Sequence, residues 1–428
     1  KLMDIKYSYN NLGLLTQARE QGRAVSYRYD AANRLTATVN EVTGVTTDYR
    51  YNPGGMLTSL ANKKGEDVLS SYEYSYDRRG NQTKKVDKNG TSRYYYDALS
   101  RLKTAVLPDN LTQSYTYDNL GNLTELSENH DGRVKETSYK YNRNSELLLQ
   151  EEKDGDETTR SLFGYDNNGN QIEKSKLIYR DGSLVVSENS SYRFDDWNQL
   201  REAVTPDGRR ARYEYNGNGL RTSKDVDGEI TNFTYDGGDL ILETDGGGKL
   251  KAKNFYGLDL ISRQTFMSTG FAPSTSNVER RTSNEISADD IYYYLFNGHG
   301  DVTQLLDERG EIVKDYEYDP FGKELTNELQ LVPGKPFATL WRAEVEHLDN
   351  PFRYAGEYLD QETGYYYLKA RYYDPQIQRF VSADSLAKNP TWKEHAYAYC
   401  GYNPINYIDP TGHVVANLRT LANSVPGS

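Results

Sequence analysis

Ser114-Tyr115-Thr116-Tyr117-Asp118-Asn119-Leu120-Gly121-Asn122-Leu123-Thr124 contains a strand, a turn and the start of a second strand. The period-2 alternation before Asp118 marks a strand, and the Leu-Thr after Asn122 opens the return strand. Asp118 suits the turn because its carboxylate bonds nearby backbone amides. Gly121 supplies a positive φ without a Cβ clash. The same grammar recurs along the chain. Aromatic–Asp/Asn pairs stand at Tyr9-Asn10, Tyr29-Asp30, Tyr51-Asn52, Tyr76-Asp77, Tyr96-Asp97, Tyr117-Asp118, Tyr141-Asn142, Tyr165-Asp166, Phe194-Asp195, Tyr215-Asn216 and Tyr235-Asp236. Their acidic or amide members lie 20 to 29 positions apart, a regularity that defines one repeated hairpin. A lone hairpin is barely stable, so the units must pair edge to edge into one antiparallel sheet. Tyrosines in equivalent places then form a ladder across strands. For any single pair a structural role suffices, with Tyr in the ladder and Asp in the turn.

Composition agrees with an all-β repeat. Among 428 residues there are 39 Tyr against 11 Phe and 3 Trp. Mean hydropathy is −0.86, low for one compact core of this size. Tyrosine favours strands and carries a hydroxyl that can stay wet, which fits thin sheets near water. The net charge of −12 argues against a general nucleic-acid grip, which needs clustered Lys and Arg. The short basic clusters Lys84-Lys85 and Arg209 to Arg212 read as solvated strand faces. One cysteine and five scattered histidines supply neither a disulfide within the chain nor a metal ligand set, and no cofactor motif is present. No apolar run is long enough to span a membrane. The chain begins in mid-pattern without a signal peptide, as expected of a fragment or processed piece.

Residues 1–245 form the hairpin array. Residues 246–350 read as further strands with two loop insertions, at about 267–286 and 323–350. The second carries a possible short helix over Ala338–Leu348. Residues 351–412 are denser in aromatics. With the preceding Asn350 they give Asn350-Pro351-Phe352-Arg353-Tyr354-Ala355-Gly356, Gly364-Tyr365-Tyr366-Tyr367-Leu368-Lys369-Ala370-Arg371-Tyr372-Tyr373-Asp374-Pro375, Arg379-Phe380-Val381-Ser382-Ala383-Asp384 and Asp409-Pro410-Thr411-Gly412. These strings resemble the Rhs-associated core. That core closes the YD-repeat region of bacterial Rhs proteins, wall-associated polymorphic toxins and the C subunits of Tc toxin complexes. With the repeats, the resemblance covers nearly all of residues 1–412.

The resemblance implies a long antiparallel sheet that spirals into part of a hollow shell. It implies a partner too: a C-terminal toxin domain, held as cargo beyond a junction at 413–428. It further implies a bacterial protein that is secreted or at the cell surface. In several such proteins the core cuts the chain just after the last Asp-Pro-x-Gly motif by aspartyl-protease-like chemistry. The matching aspartates are Asp384 and Asp409. Two close carboxylates share one proton; the ionised one activates water while the protonated one polarises the scissile carbonyl. Structural roles are open as well. Asp409 stands where a type I turn wants Asp, and Asp384 suits an N-cap before Ser385-Leu386. Cleaving members often carry Arg directly before the first Asp and Pro directly after it, whereas this chain has Ala383 and Ser385. Arg379 is the candidate to replace that Arg. Beyond the motif, Val414, Val415, Leu418 and Leu421 follow helical spacing. His299, in an Asn-Gly-His-Gly turn, reads as structural, and Cys400 as a buried inert thiol in a strand-like run.

Eleven hairpins supply 22 strands and the remainder roughly ten more. At about 4.8 Å per strand, such a strip rolls into one ring roughly 50 Å across. That is about one turn of a spiral, so upstream shell sequence or a separate shell subunit would be needed to complete an enclosure. An open edge near Lys1 is a ready site for strand addition. The leading expectation is a shell segment around a C-terminal effector. The alternatives are a cell-surface adhesion or carbohydrate-binding module, as in teneurins, and a chain whose main activity is its own proteolysis.

Overall fold

A computed structural model describes residues 4–266, 290–325, 348–386 and 396–417. Twenty-seven strands, from β1 (Ile5–Tyr9) to β27 (Ile312–Asp315), form one sheet. Each strand pairs antiparallel with the next, as where Leu102–Val106, Leu111–Tyr117 and Leu123–His130 lie side by side. The described residues contain no α-helix, only two 3₁₀ turns.

The turn chemistry follows the sequence closely. Asp118 Oδ1 accepts the amides of Leu120 at 2.9 Å and Asn122 at 2.8 Å, and Gly121 adopts φ +90°. One residue then drops out of register. Thr116 pairs with Glu125 and Tyr117 with Leu123, which leaves Thr124 as a bulge. Its hydroxyl donates across the gap to the Thr116 carbonyl at 3.1 Å. Thr16, Thr36, Thr58 and Thr83 repeat that bond in their own hairpins. A bulge bends its strand and increases local twist. The same bulge in successive hairpins therefore curls the sheet in one sense.

The curled sheet meets itself. Leu15, Ala18, Val25, Tyr27 and Val45 share a core with Phe255, Ile261, Tyr293, Leu295 and Leu306. The Leu258 amide donates to Tyr27 Oη at 3.3 Å and the Gly298 amide to Tyr74 Oη at 2.8 Å. Within this ring sits a second unit. Strands β28 (Tyr358–Asp360), β29 (Tyr365–Leu368), β30 (Arg371–Asp374) and β31 (Arg379–Phe380) form a small sheet, and β32 (Tyr407–Ile408) pairs with β33 (Ala416–Asn417). Its rings pack at a tilt on the buried ladder face: Tyr365 on Tyr192 and Tyr372 on Tyr213, each with centroids 5.8 Å apart, and Tyr402 on Tyr117 at 5.1 Å. A cavity of about 610 Å³ remains between the ring and this unit, lined in part by Asp239, Asp259, Glu357, Lys369, Pro410 and Asn417.

The helical spacing read at 414–421 is not what forms at its described end. Ala416–Asn417 is extended and paired, while Leu418 and Leu421 lie outside the described residues. The loop at 267–286 and the helix over Ala338–Leu348 fall, except for Leu348, outside them as well.

Candidate functional site

The Asp-Pro-Thr-Gly loop lies across the tight connection between β29 and β30. The Ala370 amide donates to the Thr411 carbonyl at 3.2 Å, and Lys369 Nζ to the Pro410 carbonyl at 2.7 Å. Contact is so close that only glycine fits at 412. Its φ is +76°, and a Cβ there would stand 2.5 Å from the Leu368 oxygen and 2.8 Å from the Arg371 nitrogen. Asp384 arrives from the other side, on the segment after β31. Its amide donates to the Ala396 carbonyl at 3.0 Å.

Between the two aspartates lies Arg371. One terminal nitrogen is 3.3 Å from Asp384 Oδ2 and 3.6 Å from Asp409 Oδ2. The other donates to the Ala396 carbonyl at 2.9 Å, and Nε donates to the Gly412 carbonyl. The guanidinium lies 3.6 Å from the centre of the Phe380 ring, which walls it from solvent. Asp409 is 2% exposed, and its Oδ1 accepts from the amides of Thr411 at 3.3 Å and Val414 at 3.1 Å. Asp384 Oδ1 accepts from the Leu386 amide at 2.9 Å and lies 2.8 Å from His413 Nδ1. Burial pushes the Asp384 carboxyl up, but the His413 hydrogen bond and the Arg371 charge outweigh it, so its pKa falls below the usual value. Burial lowers the Arg371 pKa, and the two aspartates offset that only in part.

Both sequence-selected aspartates thus reach one site, but they gather around a guanidinium rather than a shared proton. Their turn roles are also present, since Asp409 caps the Thr411 amide and Asp384 the Leu386 amide. Arg379 is elsewhere. It stacks on Tyr141 at 4.7 Å and Tyr397 at 5.0 Å and donates to the Ser145 carbonyl. The reason is register. Asp374 pairs with Arg379 and Tyr373 with Phe380, so the hairpin carries Arg379 away from Asp384 and sets Arg371, three residues before Asp374, at the Asp384 end. Sequence reasoning missed both Arg371 and His413. The available signal was the Lys-Ala-Arg-Tyr-Tyr-Asp-Pro string itself, whose arginine begins a strand beside the motif. Cys400 is buried as expected, but in a 3₁₀ turn with φ +50° rather than a strand. His299 Nδ1 lies 2.7 Å from Asp301 Oδ1 and serves its turn.

Residues 108–405 match the family described as Teneurin YD-shell, and residues 9–43 and 76–112 match the RHS Repeat. The chain belongs to the Teneurin YD-shell family. This YD-shell chain is 29% identical over 425 residues to the tRNA nuclease WapA of Bacillus subtilis, an alignment covering 96% of the chain and 16% of the nuclease. It is 29% identical to the toxin protein Tse5 of Pseudomonas aeruginosa, over 96% of the chain and 25% of that protein. With double-stranded DNA deaminase toxin A of Burkholderia cenocepacia it shares 26% identity, over 90% of the chain and 22% of the toxin. The YD-shell chain therefore spans a quarter or less of these relatives. Among solved structures, the Tc holotoxin pore of Photorhabdus luminescens superposes with a TM-score of 0.63 at 18% identity, covering 96% of the YD-shell chain and 20% of the other. The same rolled sheet occurs in both.

Proposed function

We propose that this YD-shell chain is a wall segment of a secreted or cell-surface bacterial toxin, that it encloses an effector continuing past residue 428, and that it severs its own backbone after Gly412. The relatives carry names of different activities, a tRNA nuclease and a DNA deaminase among them, yet share this segment. What varies in them then lies outside the part they have in common. The cavity of about 610 Å³ suits a small molecule rather than a folded domain, so the effector chamber requires more wall than this segment supplies.

The observation that carries the proteolytic reading is the Arg371 contact to the Gly412 carbonyl, made while the same guanidinium is fixed by Asp384 and Asp409. A fixed donor aimed at a carbonyl oxygen stabilises the oxyanion that forms on hydrolysis. In this arrangement the aspartates hold the electrophile, and Arg371 performs the polarisation that a protonated aspartate performs in an aspartic protease.

The test is intact mass of the chain expressed with its natural continuation. The expected result is a fragment ending at Gly412, absent from Asp409→Asn and Arg371→Met. An uncut unmodified chain would overturn self-cleavage and leave the wall role alone.

A further inference from the structure

We infer that His413, the first residue beyond the proposed cut, is the proton-transfer group for its own release; this rests on the self-cleavage reading above. The hydrolysis needs a base for the attacking water, and both aspartates are already engaged. Asp409 Oδ1 accepts from Thr411 and Val414 and its Oδ2 faces Arg371. Asp384 Oδ1 is taken by Leu386 and His413 and its Oδ2 by Arg371. Asp384, held below its usual pKa against its burial by His413 and Arg371, is the weaker base for it.

His413 is placed differently. A carboxylate only accepts, so the 2.8 Å contact to Asp384 places a proton on Nδ1, and in the neutral imidazole Nε2 is then the acceptor. The side chain keeps 22% of its surface in solvent, which gives water access. It belongs to the residue whose backbone nitrogen is the leaving group, so proximity is built into the chain. The charged group in contact with it is Asp384, after β31, which is itself paired with Arg371 on β30, and Arg371 in turn with Asp409 after β32.

The step balances with one water. Water oxygen bonds to the Gly412 carbonyl carbon, and its proton passes to His413 Nε2. Arg371 Nε–H steadies the oxyanion. Collapse breaks the Gly412 C–His413 N bond, and the Nε2 proton is relayed through a water to the departing amine. The products are a Gly412 carboxylate and a His413 α-amine. The base departs on the product, so each chain reacts once.

Time courses of the Gly412-terminated fragment, read by intact mass between about pH 5 and pH 8, test this on the full chain with its continuation. The unmodified chain should cut faster as pH rises across that interval, as general-base catalysis requires. His413→Ala and His413→Gln should each slow cutting about 100-fold or more, and added imidazole should restore part of the rate to His413→Ala. Either variant cutting at the unmodified rate, or a rate that falls as pH rises, would overturn the role of His413 and leave self-cleavage standing. An unmodified chain that never cuts would remove the earlier reading, and this one with it. The pH profile needs no variant, so a misfolded mutant leaves the inference open to refutation.

Discussion

The hydroxyl of Tyr117 donates to the carbonyl oxygen of Leu102 at 2.7 Å, tying the end of one strand to the first residue of the strand before it. The same bond joins Tyr29 to Leu15, Tyr51 to Leu35, Tyr76 to Leu57, Tyr96 to Gln82, Tyr141 to Leu123, Tyr215 to Leu200 and Tyr318 to Val302. The acceptor carbonyl is a strand-end group, and the tyrosine satisfies it as a cap satisfies a helix end. Tyr117→Phe removes only the donor and should cost about 1 kcal/mol. Tyr117→Ala also removes the ring over which Arg101 lies at 4.4 Å, and should cost about 3–5 kcal/mol. Urea midpoints of the two variants check the order and the gap.

Gly412→Ala tests the loop against the arginine. With φ at +76° and a backbone oxygen 2.5 Å from the added carbon, the loop must lift from the β29–β30 connection. Cutting after residue 412 should be lost while the main sheet stays folded. A Gly412→Ala chain that cuts at the unmodified rate would show that the Arg371 contact is not needed.

Arg221 is 1% exposed and binds Asp360, itself fully buried, where the inner unit meets the ring. Lys224 also reaches Asp360, at 3.0 Å. Arg221→Met leaves a buried carboxylate with one cation instead of two and should cost about 3–5 kcal/mol. Adding Asp360→Leu should recover part of that loss, because the carboxylate's desolvation cost goes with it while Lys224 keeps Glu362 at 3.2 Å. A double-mutant cycle in guanidinium measures the coupling.

Burial, countered by Lys369 and aided by Asp409, pushes the Glu357 carboxyl from 4.5 up to about 7. Between those values the folded chain holds a proton that the unfolded chain has released. Its contribution to stability is therefore present below about pH 4.5 and lost as pH rises to about 7. Glu357→Gln copies the protonated form. It should melt higher than the unmodified chain near pH 8, by up to an order of 3 kcal/mol, with the difference vanishing near pH 5. Calorimetric melts at the two pH values decide it.

The hairpins were legible because everything that makes them is local. Asp118 and Gly121 set the turn within four residues, and Tyr115 and Tyr117 alternate along one strand. Even the bulge has a sequence mark in the threonine after the leucine, though its meaning emerges only with the register of Thr124. The site was legible by half. Asp384 and Asp409 sit in quotable motifs, but the residue between them is chosen by pairing across β30 and β31. In the sequence Arg379 lies five positions from Asp384 and Arg371 thirteen, so proximity along the chain pointed to the wrong arginine. The nesting of residues 351–417 against the ladder face was likewise illegible. It depends on contacts such as Tyr365 to Tyr192, which join positions 173 apart.

In each of the eight tyrosine bonds the carbonyl precedes its hydroxyl in the chain, by 14 to 19 residues. A nascent hairpin therefore finds its anchor already made and waits for nothing downstream. Such a wall can be laid course by course as the polypeptide emerges from a ribosome or a secretion channel, with each course fastened before the next arrives and contacts kept short-range. The ring closes only when the strands near Phe255 and Tyr293 return to the first ones, and the Asp384–Arg371–Asp409 cluster is assembled after that. The order of synthesis thus postpones this cluster until the sheet around it is standing.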